Sequence, residues 1–194
     1  MSNEITIKSV LTEGRSHKFF SDEPVAEDQL RALYDLAKFA PSASNGCPMR
    51  ITFVTSAEGK EKVLQASMPG NVEKIRSAPV TVIIAYDMVF YDKYHKLAPQ
   101  MDSPPKEASL PEIALEKIAL RSSSLQAGFL MVAARSLGLD CGPMSGFKNN
   151  VIDELFYSGT TWRSNFLINL GYGNGEGLRP RAARLDFVEA CQIV

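Results

Sequence analysis

Residues 78–87 read APVTVIIAYD, and this run decides the class of fold. It is apolar almost throughout and rich in β-branched residues, with no alternation of polar and apolar positions. That is the signature of a central strand covered on both faces. The flanking chain supplies the covers. Across residues 26–40, Leu30, Leu33, Tyr34, Ala37 and Ala40 form the stripe of an amphipathic helix, which Pro41 ends. RITFVTS (50–56) alternates as a strand whose inner face would hold Ile51 and Phe53 or their neighbours. AEGKEKVLQAS (57–67) is a short charged helix. Downstream, a long helix is expected from about Ile113 to Leu137, stopped by Gly138. Its second half, SLQAGFLMVAARSLGL, is apolar on most sides and needs cover all round, from its own core or from a partner subunit. CGPMSGF (141–147) reads as a turn-rich loop, KNNVIDELFY (148–157) as a short helix and SNFLINLGYG (164–173) as the last strand. Helices and strands mix without strict β-α-β alternation, which favours an α+β sandwich over a doubly wound parallel sheet.

At 194 residues the chain fits one domain with a substantial core, and 45% hydrophobic with 22% charged residues is ordinary for a soluble globular protein. A net charge of -1 without any Lys/Arg block argues against nucleic acid or an anionic membrane as partner. The N-terminus MSNEITIKSV lacks a signal-peptide apolar core, and no apolar run is long enough to span a bilayer. Cys47, Cys141 and Cys191 are scattered and odd in number, which suits a reducing compartment and offers no metal-ligand spacing. A cytoplasmic protein without a metal is expected. Residues 88–111, polar, aromatic and proline-rich, read as an excursion or lid.

Isolated motifs carry little. GYGNGEG (171–177) follows a strand but misses the G-x-G-x-x-G spacing, and LRPRAARLDF after it opens no helix, so it is a loop rather than a dinucleotide fingerprint. His17 and His95 are the only histidines, and no serine sits in a G-x-S-x-G elbow. What remains is a set of basic residues: Arg15 to Lys18 before the first helix, and Arg179, Arg181 and Arg184 near the end. Arginine's planar fork suits phosphate oxygens. A further oddity is FAPSASNGCPMR (39–50), where small polar residues follow a sharply ended helix. Such a loop would let a flat ligand approach the backbone.

Taken together, RSHKFFSDEPVAEDQLRALYDLAKFAPSASN (15–45), GNVEKIRSAPVTVIIA (70–85), LGLDCGPMSGF (137–147) and the basic C-terminal segment resemble the FMN-dependent nitroreductase family over the whole chain. More narrowly, GPMSGF, SNFLINLGYG and RLDFVEAC are similar to its malonic semialdehyde reductase branch. The resemblance implies a mainly antiparallel sheet flanked by helices, in an intertwined homodimer with FMN at the subunit interface. It places Arg15, Ser16 and His17 near the ribityl chain, phosphate or pyrimidine edge. Pro41, Ser42, Ala43 and Asn45 would be lent by the neighbouring subunit. Asn71 and Lys74 would stand near the pyrimidine side, and Pro143, Met144, Ser145 and Gly146 under the ring. Arg184, with Arg181 or its neighbour Ala182, would hold the phosphate.

The implied activity is hydride transfer from NAD(P)H through flavin N5 in two half-reactions. The branch implies reduction of 3-oxopropanoate to 3-hydroxypropanoate, with Arg50 or a lid residue holding the carboxylate. A general nitro- or quinone-reductase, or a flavin-binding protein without turnover, are the alternatives. NGCPMR stands where many family members have Gln-Pro-Trp, which argues against broad nitroaromatic turnover. Cys47 reads as a small packed residue, because nothing in the sequence pairs it with a base.

Overall fold

The computed structural model describes residues 6–101 and 105–194. At its centre lies β2 (Val80–Asp87), buried along its whole length. β1 (Met49–Val54) and β4 (Trp162–Gly171) pair with it on either side, and β3 (Asp140–Met144) pairs with β4 at the far edge. The order is β1-β2-β4-β3, with every pairing antiparallel. The expected loop at CGPMSGF is therefore a strand over its first half. Pro143 has no amide to donate, but β3 has only one strand partner, so an edge strand tolerates the proline.

Among the described residues the α-helices are α1 (Ile7–Glu13), α2 (Glu27–Ala37), α3 (Ala57–Ala66), α4 (Val72–Ser77), α5 (Tyr94–Leu97), α6 (Glu112–Ser136), α7 (Asn149–Tyr157) and α8 (Phe187–Ala190). α2 and α6 cover one face of the sheet: Leu30, Leu33, Ala127, Leu130 and Ala134 pack with Val80, Val82, Ile84, Ile168 and Leu170. α3, α4 and α7 cover the other, where Val63, Ile75 and Ile152 meet Ile83, Ala85 and Leu167. Alternate residues of β2 thus enter opposite cores, as its uninterrupted apolar run requires. Ile51 and Phe53 pack, partly buried, on the α2–α6 side, and Val54 belongs to the opposite one.

α6 ends where expected. Gly138 adopts φ +78, and the Gly138 and Leu139 amides donate to the Arg135 and Ala134 carbonyls at 3.0 and 2.9 Å. Its own chain does not cover it all round: Leu120, Leu125 and Phe129 are 39–47% exposed. Residues 88–101 and 105–111 form a small third core in which Phe90, Tyr94 and Ala98 pack with Tyr86, Leu115 and Ala119. The middle of the expected lid, residues 102–104, lies outside the described residues. Residues 179–194 are exposed throughout, including Leu185, Phe187, Val188 and Ile193. No described helix is long and apolar enough to cross a membrane.

Candidate active site

The candidate residues gather along the free edge of β3. At one end, residues 16–20 lie beside it: Ser16 bridges Cys141 in parallel, the His17 amide donates to the Cys141 carbonyl at 2.9 Å, and Phe20 bridges Gly173. The approach is close enough that a Cβ at Gly142 would stand 2.3 Å from the His17 carbonyl oxygen. Glycine at 142 is what admits the segment.

That segment opens one wall of a cavity of about 390 Å³. Arg15 and Lys18 come from the N-terminal segment, Arg135 from the last turn of α6, and Arg179, Arg181 and Arg184 from the C-terminal segment; no carboxylate of the described residues lines the cavity. Among the described residues none of these six cations pairs with a carboxylate within 4.0 Å. Several of them donate to main-chain carbonyls instead. Arg15 donates to the Arg179 carbonyl, Arg181 to the Gly14 carbonyl at 3.0 Å, and Arg184 to the Ala182 and Ala183 carbonyls at 2.9 and 3.0 Å. In a chain of net charge -1, six cations gathered around one hollow are suited to an anion. Ser16 lines it as well, and position 182, the alternative to Arg181, is present only through Ala182.

His17 is placed differently. Its ring is turned inward, with Nε2 3.2 Å from Asp140 Oδ1, while Nδ1 is buried against Gly173 without a partner among the described residues. A Cβ at Gly173 would stand 1.9 Å from that nitrogen. His17 therefore fixes the segment rather than lining the cavity.

At the other end of β3, Asn71 Nδ2 donates to the Gly146 carbonyl at 3.0 Å, and Lys74 Nζ donates to Asn71 Oδ1 at 3.0 Å. Behind them the buried Asn169 donates to the Lys74 carbonyl at 2.8 Å and accepts from Thr81 Oγ1 at 2.9 Å. The sheet thereby positions α4. Between the two ends Pro143 and Ser145 are exposed, whereas Met144 packs into the α3–α7 core. By strand rise the ledge is on the order of 15 Å long, enough for a flat ring with a side arm ending in the cationic cavity.

Pro41, Ser42, Ala43 and Asn45 are not on this ledge. Their loop lies against the middle of α6 and the excursion: the Ala43 amide donates to Ser122 Oγ at 3.2 Å, and Asn45 Nδ2 to the Leu97 carbonyl at 2.7 Å. Ser44, Asn45 and Cys47 adopt φ of 51, 53 and 42, a left-handed region that non-glycine residues seldom occupy. The Cys47 amide donates to Ser42 Oγ at 2.9 Å, and the hydrogen-bond neighbours of its sulfur are Ser42 and Asn45.

Arg50 is not free to hold a substrate. It is bound to Asp87 at 2.7 Å, donates to the Cys47 and Met49 carbonyls, and lies over the Trp162 ring. Asp87 is 5% exposed, so withdrawing Arg50 would leave a buried carboxylate unpaired.

Sequence reasoning missed Arg135 and Asn169. The signals were present: a cation in the last turn of an apolar helix, and an amide inside the apolar strand FLINLG.

Comparison with known proteins agrees with this architecture. Residues 11–172 match the "Nitroreductase family". A protein of Caulobacter vibrioides (strain NA1000 / CB15N) named "Putative NADH dehydrogenase/NAD(P)H nitroreductase" is 48% identical over 192 residues, covering 99% of this chain and 98% of that one. A protein of the same name from Stutzerimonas stutzeri (strain A1501) is 46% identical, covering 96% and 95%. Among solved structures, a "putative nitroreductase in complex with FMN" from Exiguobacterium sibiricum 255-15 superposes with a TM-score of 0.85 at 20% identity, over 100% of both chains. The enone reductase CLA-ER of gut-bacterial fatty acid saturation gives 0.86 at 23%, again over both whole chains. The chain belongs to the nitroreductase family, and its fold is nitroreductase-like.

Proposed function

We propose that the protein is an FMN-dependent NAD(P)H oxidoreductase acting as a homodimer. The observation that carries this reading is the carboxylate-free cavity of six cations at the end of the β3 ledge. A flavin mononucleotide combines the two features the site asks for, a flat ring and a terminal phosphate. The names of the relatives and the FMN complex of the structural neighbour support the same cofactor.

When bound, FMN supplies the redox chemistry, accepting hydride from NAD(P)H and delivering it to an oxidised acceptor. The chain's own residues hold and tune it. Arg15, Ser16, Arg181 and Arg184 would take the phosphate, and His17 keeps the segment of Arg15 and Ser16 on β3 through Asp140. Asn71 and Lys74, already hydrogen-bonded to each other, would present a donor and a cation to the ring's polar edge, where they favour negative charge. Pro143, Ser145 and Gly146 would form the floor of the ledge, with Met144 contributing main chain while its side chain anchors the strand in the α3–α7 core. The loop with Pro41, Ser42, Ala43 and Asn45 would close the site from the neighbouring subunit.

Two features support the homodimer. α6 leaves Leu120, Leu125 and Phe129 uncovered, and the C-terminal segment carries apolar side chains that find no core in their own chain. Beside β1, a cavity of about 780 Å³ whose lining mixes Val25, Leu30, Tyr34 and Phe53 with Glu27, Arg31 and Asp35 would have room for such a segment from a second copy.

For the acceptor we propose a small aldehyde acid, 3-oxopropanoate, on the likeness of residues 142–147, 164–173 and 184–191 to the malonic semialdehyde reductase branch. The anchored part of the excursion would form a wall of the acceptor space. A nitro- or quinone-reductase is the second reading. It is favoured by the names of the relatives and by the engagement of Arg50 with Asp87, which removes one carboxylate clamp.

The test is the visible spectrum of the purified, FMN-reconstituted protein under anaerobic addition of NADPH and NADH, followed by a panel of acceptors. Bleaching of bound flavin supports the oxidoreductase. Bound flavin that stays oxidised points to a protein without turnover, and failure to take up FMN overturns the site. Faster turnover of a quinone than of 3-oxopropanoate reverses the order of acceptors.

A further inference from the structure

Arg135 is the one cation of the cavity that comes from the helical layer rather than from a terminal segment. Its Nη2 donates to the Arg15 carbonyl at 3.3 Å, and its Nε is buried without a hydrogen-bond partner among the described residues. Gly14 makes room for it, since a Cβ there would stand 2.8 Å from Arg135 Cδ and Cζ. Glu13 and Asp140 line the neighbouring hollow that Arg135 also borders. Asp140 is already engaged by His17 and the Gly173 amide, and no described carboxylate comes within 4.0 Å of the guanidinium.

An arginine near a helix C-terminus has an ordinary role, balancing the helix dipole. Here the side chain instead leaves the helix to reach the chain at Arg15. A charge held this way, without a counter-ion and with an idle buried donor, is suited to an anion arriving in the cavity.

We infer that Arg135 is a phosphate-selecting residue of this site, holding the Arg15 segment in place and adding its charge beneath the phosphate of the bound flavin. The inference rests on the FMN reading above. It gives Arg135 a share, beside Arg15, Arg181 and Arg184, in the preference for FMN over riboflavin, which carries the same ring and ribityl chain without the phosphate.

The test measures equilibrium binding of FMN and riboflavin to the flavin-free protein by fluorescence quenching, at fixed ionic strength. Arg135→Gln keeps a polar side chain of similar stem but loses the charge, and Arg135→Lys keeps the charge. The glutamine variant is expected to weaken FMN at least tenfold, the scale of one charge-assisted hydrogen bond, and to leave riboflavin unchanged. The lysine variant should recover most of the loss. Equal weakening of both flavins by Arg135→Gln would make the residue a structural support only and overturn the inference, as would unchanged FMN affinity. A parent protein that binds riboflavin as tightly as FMN overturns the phosphate reading of the cavity itself. Should the glutamine variant not fold, a lysine variant that weakens both flavins equally counts against the inference in the same way.

Discussion

Gly142→Ala tests how the cationic segment is held. The added Cβ would lie 2.3 Å from the His17 carbonyl oxygen, a main-chain atom that no rotamer change can remove. An ordinary contact needs roughly 1 Å more, in the range of close carbon–oxygen approach. β3 cannot retreat freely because it is paired with β4 along its length, so the segment at 16–18 must give way. Its retreat stretches the 2.9 Å bond from the His17 amide to the Cys141 carbonyl. Overpacking costs about 1–3 kcal/mol and the lost hydrogen bond about 1 kcal/mol, so about 2–4 kcal/mol of stability should go. Gly142 has no left-handed φ, so the effect is steric rather than conformational. Arg15 and Ser16 ride on the displaced segment, and FMN affinity should fall at least tenfold with it. Urea denaturation of the flavin-free protein and FMN titration read the two effects, with Gly70→Ala as control, since nothing lies within 4 Å of a Cβ there. A variant within about 0.5 kcal/mol and twofold of the parent, on the scale of a neutral surface substitution, would refute the reasoning.

Arg50→Met should destabilise the protein by about 3–5 kcal/mol, because Asp87 stays buried with its charge uncompensated; denaturation beside the Arg50→Met/Asp87→Asn pair checks this, the pair recovering part of the loss. Burial pushes the Cys141 thiol and the Tyr157 phenol up to about 12, above their unfolded values of about 8.5 and 10. The folded state keeps protons that the unfolded chain has shed, so this stability is complete below about pH 8.5 and is lost as pH rises towards 12, at about 1.4 kcal/mol per pH unit and group. Urea midpoints at pH 8, 9 and 10 should fall, and Cys141→Ala should flatten the slope from pH 9 to 10. Leu125→Glu with Phe129→Glu alters only exposed positions of α6 and should leave the secondary structure intact while yielding a monomer with weakened FMN binding, read by sedimentation and flavin titration.

The layers were legible because their patterns are local. β2 is apolar without a break, α2 keeps its stripe but ends at Ala37, ahead of the expected stop at Pro41, and α6 stops at a glycine that the left-handed cap requires. β3 was not legible, because Gly142 and Pro143 are turn residues in any window, and they form a strand only because β4 offers an edge. The site was legible only in pieces. Arg15, Arg135 and Arg181 are each an unremarkable surface cation in the sequence, and no spacing relates positions 120 and 46 residues apart. Their convergence depends on the sheet placing the N-terminal segment, the end of α6 and the C-terminal segment around one hollow. Arg50 shows the converse. It stands beside the loop in sequence, but its chemistry is consumed by Asp87, a partner 37 residues away.

The loop of residues 41–47 joins these observations. Left-handed backbone costs a non-glycine residue on the order of 1 kcal/mol, and Ser44, Asn45 and Cys47 each adopt it. Such a conformation persists only where the surroundings impose it. Here Ser122 of α6 holds the Ala43 amide, the Leu97 carbonyl holds Asn45, and Phe90 packs so closely that a Cβ at Gly46 would stand 2.7 Å from it. Phe90 is anchored in turn with Tyr94, Leu115 and Ala119, so this part of the excursion is a brace built into the body of the protein. All this support comes from behind. In front, Pro41, Ala43, Ser44 and Asn45 are exposed, and the cationic ledge of their own chain is assembled from other elements. Backbone held in this way on an exposed surface suits a surface that meets a partner. Under the homodimer proposed above, this loop would complete the flavin site of the neighbouring subunit.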